Sequence, residues 1–97
     1  MSMNLSGACA TVSESGQITS NGNFSCQMDG GGTQYVIDYN NSVVNPVPVV
    51  SLTSPDPTLT YVLNTYVSGC RIYIYQLTSN GPVPASSSFD LIVGSMS

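Results

Sequence analysis

The chain contains no lysine, no histidine and no tryptophan, and Arg71 is its single basic residue. Each gap removes a class of chemistry. Nucleic-acid and phosphate binding draw on clustered Lys and Arg, which a chain with one cation and a formal charge of −4 does not supply. Histidine, the side chain that titrates near neutral pH and the commonest metal ligand, is missing. A cysteine nucleophile would therefore lack an imidazole base. Zinc would require four soft ligands, whereas the chain has three thiols far apart in sequence, Cys9, Cys26 and Cys70. The expectation is a protein with no enzymatic activity, no cofactor and no nucleic-acid partner.

Charge of either sign is scarce. Charged residues make up 6% of the chain, against about 25% in ordinary soluble domains. Disordered chains lack hydrophobes as well, but here 41% of residues are hydrophobic, so the composition is that of a folded chain. A surface so poor in charge repels its neighbours weakly and tends to associate. The simplest reading is that much of it is covered by copies of itself or by a larger assembly.

The 97 residues fit one domain, 1–97, with short tails at 1–7 and 95–97. Residues 1–16 carry no basic and apolar leader pattern, so no secretory signal is expected. No run approaches about 18 apolar residues, so no membrane partner is expected. The odd cysteine count argues against a closed disulfide framework. The formal sequons at Asn4, Asn23 and Asn40 are read as chance in a chain rich in Asn and Ser.

Apolar runs alternate with Gly, Pro, Asn and Ser clusters, which predicts an all-β fold: a single jelly-roll-like sandwich of about eight short antiparallel strands. No segment keeps helical apolar spacing over ten residues or more. The first strand, Ala8 to Val12, is weakly apolar and expected at an edge. A turn at Glu14-Ser15-Gly16 leads to a short strand over residues 17–19, and Asn21-Gly22 reads as a hairpin. Phe24, Cys26 and Met28 share one face, and Asp29 with Gly30, Gly31 and Gly32 forms a turn. The run lacks the Lys-Ser/Thr and strand-to-helix context of a phosphate loop. Tyr35, Ile37 and Tyr39 make the next inner face.

Val47 to Leu52 is the most apolar run, and Pro46 and Pro48 place its start at an edge or bulge. Leu59, Tyr61 and Leu63 alternate, and so do Cys70, Ile72 and Ile74 against Arg71, Tyr73 and Tyr75. Residues 80–88 read as a long turn-rich loop, and Phe89, Leu91 and Val93 form the last strand.

Five carboxylates are present, Glu14, Asp29, Asp38, Asp56 and Asp90. Nothing in their spacing brings two into one cleft as acid–base chemistry needs. Asp29 and Asp56 read as turn caps, Asp38 and Asp90 as outward strand residues. Asp29 and Asp38 could join backbone carbonyls around calcium, but the D-x-D-x-D-G spacing is absent. Cys26 and Cys70 fall on core faces and read as small buried hydrophobes. A Cys26–Cys70 bridge between sheets stays open, and Cys9 is either exposed or paired with one of them.

Tyrosine is the remaining feature. Arg71, Tyr73 and Tyr75 form an outward row of the kind protein interfaces enrich. With Tyr61 and Tyr66 they are the candidate interface residues. The same row could pack internally or stack on sugar rings.

From Phe24 to Gly94, about three quarters of the chain, the element order resembles a known layout. The carriers are Tyr35-Val36-Ile37-Asp38-Tyr39, Asn45-Pro46-Val47-Pro48-Val49-Val50-Ser51-Leu52, Ser68-Gly69-Cys70-Arg71-Ile72 and Ser88-Phe89-Asp90-Leu91-Ile92-Val93-Gly94. They are similar to small jelly-roll modules of bacteriophage tail fibres and capsid decoration proteins, related in architecture to the C1q and tumour-necrosis-factor trimers. Cys70 stands where the third element usually carries an aromatic, and Leu91 where the fourth often has a second Phe.

The resemblance implies a non-enzymatic homotrimer in a virion, assembled in the host cytoplasm, and transfers no functional residue. Two roles follow as expectations. One is a capsid decoration (cement) protein whose partner is the major capsid protein. The other is a tail-fibre tip module that binds a host surface glycan, through the Arg71, Tyr73 and Tyr75 face or the 80–88 loop.

Overall fold

The computed structural model describes residues 7–95; the expected tails and Asn4 fall largely outside them. Period-two alternation of apolar residues drives nine strands and no helix among these residues. They are β1 (Ala8–Val12), β2 (Ile18–Ser20), β3 (Ser25–Asp29), β4 (Gln34–Asp38), β5 (Pro46–Leu52), β6 (Leu59–Thr65), β7 (Gly69–Thr78), β8 (Gly81–Pro84) and β9 (Phe89–Ser95). All pair antiparallel.

Sheet A runs β2-β1-β9-β5, and sheet B runs β3-β4-β7-β6 with β8 also paired to β7. The two pack as a sandwich. The chain changes sheet between β2 and β3, β4 and β5, β5 and β6, and β8 and β9, the wrapping expected of a jelly-roll-like fold. The consecutive β6-β7-β8 meander stays within sheet B.

The core lies between the sheets. Ala10, Val12, Val50, Phe89, Leu91 and Val93 face it from sheet A, and Tyr35, Ile37, Cys70, Ile72 and Ile74 from sheet B. Phe24 and Tyr39 stack obliquely at 5.1 Å, and Tyr35 meets Phe89 edge-on at 5.1 Å. Such burial at about 25 cal/mol per Å2 of apolar area is the main stabilising term. Tyr35 also joins core to loop, because its hydroxyl donates to the Glu14 carbonyl at 2.6 Å and accepts from the Ser87 amide at 3.2 Å.

Four expectations need correction. β1 is not an edge: it lies between β2 and β9, a long-range pairing with no local sequence signal. Asn21-Gly22 is not a hairpin tip, because β2 and β3 belong to different sheets. Instead Asn21 prolongs the β2–β1 pairing, its amide donating to the Cys9 carbonyl and its side-chain oxygen accepting from the Cys9 amide. Residues 81–84 of the expected loop are strand β8. Ser95, expected in the tail, closes β9 opposite Pro46.

The Asp29–Gly32 turn forms as read, with positive φ at Gly30, Gly31 and Gly32. Pro46 and Pro48 do stand in an edge strand, β5. The register explains how. The Thr53 amide donates to the Ser88 carbonyl, so odd-numbered residues of β5 carry the bonds to β9 and the proline nitrogens face outward. β8 repeats the device, because the Ala85 amide bonds the Ile74 carbonyl and turns Pro82 and Pro84 outward.

Candidate functional site

Alternation along β7 sends Arg71, Tyr73 and Tyr75 to the outer face of sheet B, as expected, each partly buried. The face is not a free row of anchors. Arg71 Nη1 donates to Asp29 Oδ2 at 2.8 Å and to Gln34 Oε1 at 2.7 Å, so the cation is held within its own sheet. The guanidinium holds the Asp29 carboxyl below the usual carboxylate range, with help from the Gly30 amide. Tyr73 lies between Gln34 and Val62 in register, and Asn64 donates weakly to its hydroxyl at 3.5 Å.

Of the other two candidate tyrosines, Tyr61 leaves this row and Tyr66 stays near its Arg71 end. Tyr61 points inward, packs against the core and donates to the Val50 carbonyl at 2.9 Å. Tyr66 is exposed, in the hairpin between β6 and β7 where its amide bonds the Gly69 carbonyl. The structure therefore gathers Arg71, Tyr73 and Tyr75 on one face, sets the exposed Tyr66 within electrostatic reach of Arg71, and turns Tyr61 away to the core.

The more apolar surface is the outer face of sheet A. Val49 and Ile92 are 58% and 59% exposed and directly opposite each other, with Cys9 next in the row beyond Ile92. Val47, facing Gly94, extends the patch along β5. Asp90 is the one charged residue on this face of the sheet, among the described residues. Period-two spacing carried part of this signal, since Ile92 alternates with Leu91 and Val93 of the last strand, whereas Val47 and Val49 belong to a run read only as apolar.

The carboxylates behave mostly as turn chemistry requires. Asp29 Oδ1 accepts from the Gly30 amide, and Asp56 Oδ1 accepts from the Thr58 amide and hydroxyl, which lowers the Asp56 pKa. Asp29 and Asp38 sit at opposite ends of the β3–β4 ladder, so they do not converge on one cation. No group of three or more His, Cys, Asp or Glu side chains with metal-binding geometry occurs among the described residues.

One arrangement was not legible in the spacing. Glu14 and Asp56 line a common open cleft of about 690 Å3 at one end of the sandwich, with Gln76 and the hydroxyls of Thr53, Ser86 and Ser88. Glu14 Oε1 accepts from Ser86 Oγ at 3.4 Å. Chain segments far apart in sequence meet there, so only the fold assembles the cleft.

Cys26 and Cys70 do not form an inter-sheet bridge. Both are in sheet B, flanking Ile37 in register on β4. Two strand spacings separate them by about 9–10 Å, beyond disulfide reach. All three cysteines are free, Cys9 exposed and Cys70 buried. Burial first, then the neighbouring Cys70, pushes the Cys26 thiol up to about 11. The buried Tyr39 hydroxyl finds no conventional hydrogen-bond acceptor and interacts with the Cys70 thiol.

These surfaces define an all-β sandwich. No protein-family model, curated protein or solved structure matches the chain.

Proposed function

We propose that this chain is a non-enzymatic structural protein of a bacteriophage virion, a homotrimeric capsid decoration protein that bridges major capsid subunits. The observation that carries the assembly reading is the uncharged patch of Val47, Val49 and Ile92 on sheet A. Aliphatic side chains about half exposed or more and contiguous across two strands are what an interface covers. The virion assignment rests on the resemblance of the strand motifs between Phe24 and Gly94.

Mechanistically, apolar contacts repeated over a lattice multiply a modest burial per copy, at about 25 cal/mol per Å2, into a large stabilisation of the shell. Attachment through uncharged surface depends little on salt. The reading departs from the tyrosine row as the main contact, because Arg71 is already paired within its own sheet.

Light scattering tests the trimer: a mass near three chains of 10.1 kDa is expected, and a monomer at micromolar concentration overturns it. Co-sedimentation with empty capsids tests the partner. Failure to bind at any salt concentration removes the cement role.

The second reading is a glycan-binding tip module, and the cleft at Glu14 and Asp56 favours it. Its hydroxyl and amide lining could replace water around sugar hydroxyls, although no aromatic ring lines it. Glycan-array binding that Gln76→Ala abolishes would support that role.

A further inference from the structure

Among the described residues five strands have a free edge, and four of them are poor partners for a further strand. β5 and β8 turn proline nitrogens outward at Pro46, Pro48, Pro82 and Pro84, where a new strand would need an amide. β2 is three residues long. β3 is five residues long and carries the charged Asp29.

β6 is different. Its seven residues, LTYVLNT, include no proline and no charge. The Thr58 carbonyl and the Tyr66 amide both bond toward β7, so even-numbered residues of β6 serve that ladder. The backbone groups of Tyr61, Leu63 and Thr65 therefore face the open side. Exposed, uncharged, unblocked edges are the ones that natural sheets extend.

We propose that β6 is a self-pairing edge: two copies join β6 to β6 antiparallel about a two-fold axis through Val62, making sheet B continuous across the pair. Three observations select a second copy as the occupant. The strand is its own best partner in length, because full overlap of Leu59–Thr65 with itself centres on Val62. That register also satisfies the parity, setting Tyr61 opposite the partner's Leu63 as hydrogen-bonded pairs and Val62 opposite its copy as a non-hydrogen-bonded pair. Finally, a chain of net charge −4 approaches itself here through an uncharged strand, and Val62, 51% exposed on the outer face, gains a valine neighbour. The contact is independent of the trimer and would link two trimers or two free chains alike.

The test is disulfide trapping. Non-hydrogen-bonded pairs hold their α-carbons about 4.5 Å apart, within disulfide range. Val62→Cys in a Cys9→Ser background is expected to oxidise rapidly to a covalent species of two 10.1 kDa chains, at least ten-fold faster than Leu77→Cys, an exposed control on the same sheet. Equal rates overturn the proposal. A second readout uses the wild-type chain: the Tyr61 and Leu63 amides should gain hydrogen-exchange protection as concentration rises, and Val62→Lys should abolish that gain while circular dichroism stays unchanged. Free exchange of both amides at every concentration also overturns it. A trimer by light scattering without cross-linking sinks the edge contact alone; cross-linking without a trimer sinks only the assembly reading.

Discussion

The Tyr61 hydroxyl on sheet B donates to the Val50 carbonyl on the free edge of sheet A at 2.9 Å. β5 thus has two of its outward amide donors removed, at Pro46 and Pro48, and one outward carbonyl taken by a side chain from the facing sheet. The bond seals an edge and staples two layers at once.

Tyr61→Phe keeps the ring in the core and deletes that bond. The expected loss is about 1 kcal/mol, the usual net value of one hydrogen bond, with the Val50 carbonyl exposed to solvent. A lower urea midpoint at unchanged slope would confirm it. No shift in the midpoint would mean that water replaces the tyrosine at no cost.

Gly69 and Gly31 separate two reasons for glycine. A β-carbon on Gly69 would collide with the Ile37 carbonyl, so Gly69→Ala is expected to cost about 1–3 kcal/mol by overpacking. Gly31 has open space around it but φ of +73°, so Gly31→Ala should cost about 1 kcal/mol through backbone strain alone. Thermal unfolding of the two variants should rank Gly69→Ala as the less stable.

Much of this was legible in advance because alternation is a local signal. Tyr35, Ile37, Cys70, Ile72, Phe89 and Leu91 all face the core as their spacing required. What failed was non-local. Nothing in Ala8–Val12 announces that β9 will pair with it, and Arg71 meets an Asp29 that lies two strands away. Pro82 and Pro84 look like loop residues until the register shows their nitrogens pointing away from β7. The cleft at Glu14 and Asp56 needed four separate chain segments to be placed.

Thiol reactivity should follow burial. Cys9 is exposed, whereas burial raises the pKa of both Cys26, to about 11, and Cys70. At pH 8 a disulfide reagent is expected to titrate one thiol quickly in the native protein and three in urea. Two fast thiols in the native state would show that Cys26 is accessible after all.

Acid should weaken the fold through Asp29 and Asp56. Arg71 holds the Asp29 carboxyl low and Thr58 does the same for Asp56, so both fold-state pKa values lie below the unfolded one. A depressed carboxylate contributes fully above the unfolded value of about 3.9 and loses that contribution as pH falls through the folded one. The urea midpoint should therefore be flat from pH 7 to 5 and decline below about 4. The decline should be smaller in Arg71→Gln, which removes the partner of Asp29. An identical decline in both proteins would show that the ion pair adds nothing.

The pairing of β1 with β9 also sets a timetable. A chain emerging from the ribosome offers β1 first, yet its central partner in sheet A arrives only with the final strand. Sheet B, by contrast, can assemble β3, β4, β6 and β7 earlier. Early strands must wait, apolar faces uncovered, until β9 has been made, so sheet A closes late and at the slower pace of folds dominated by distant pairings.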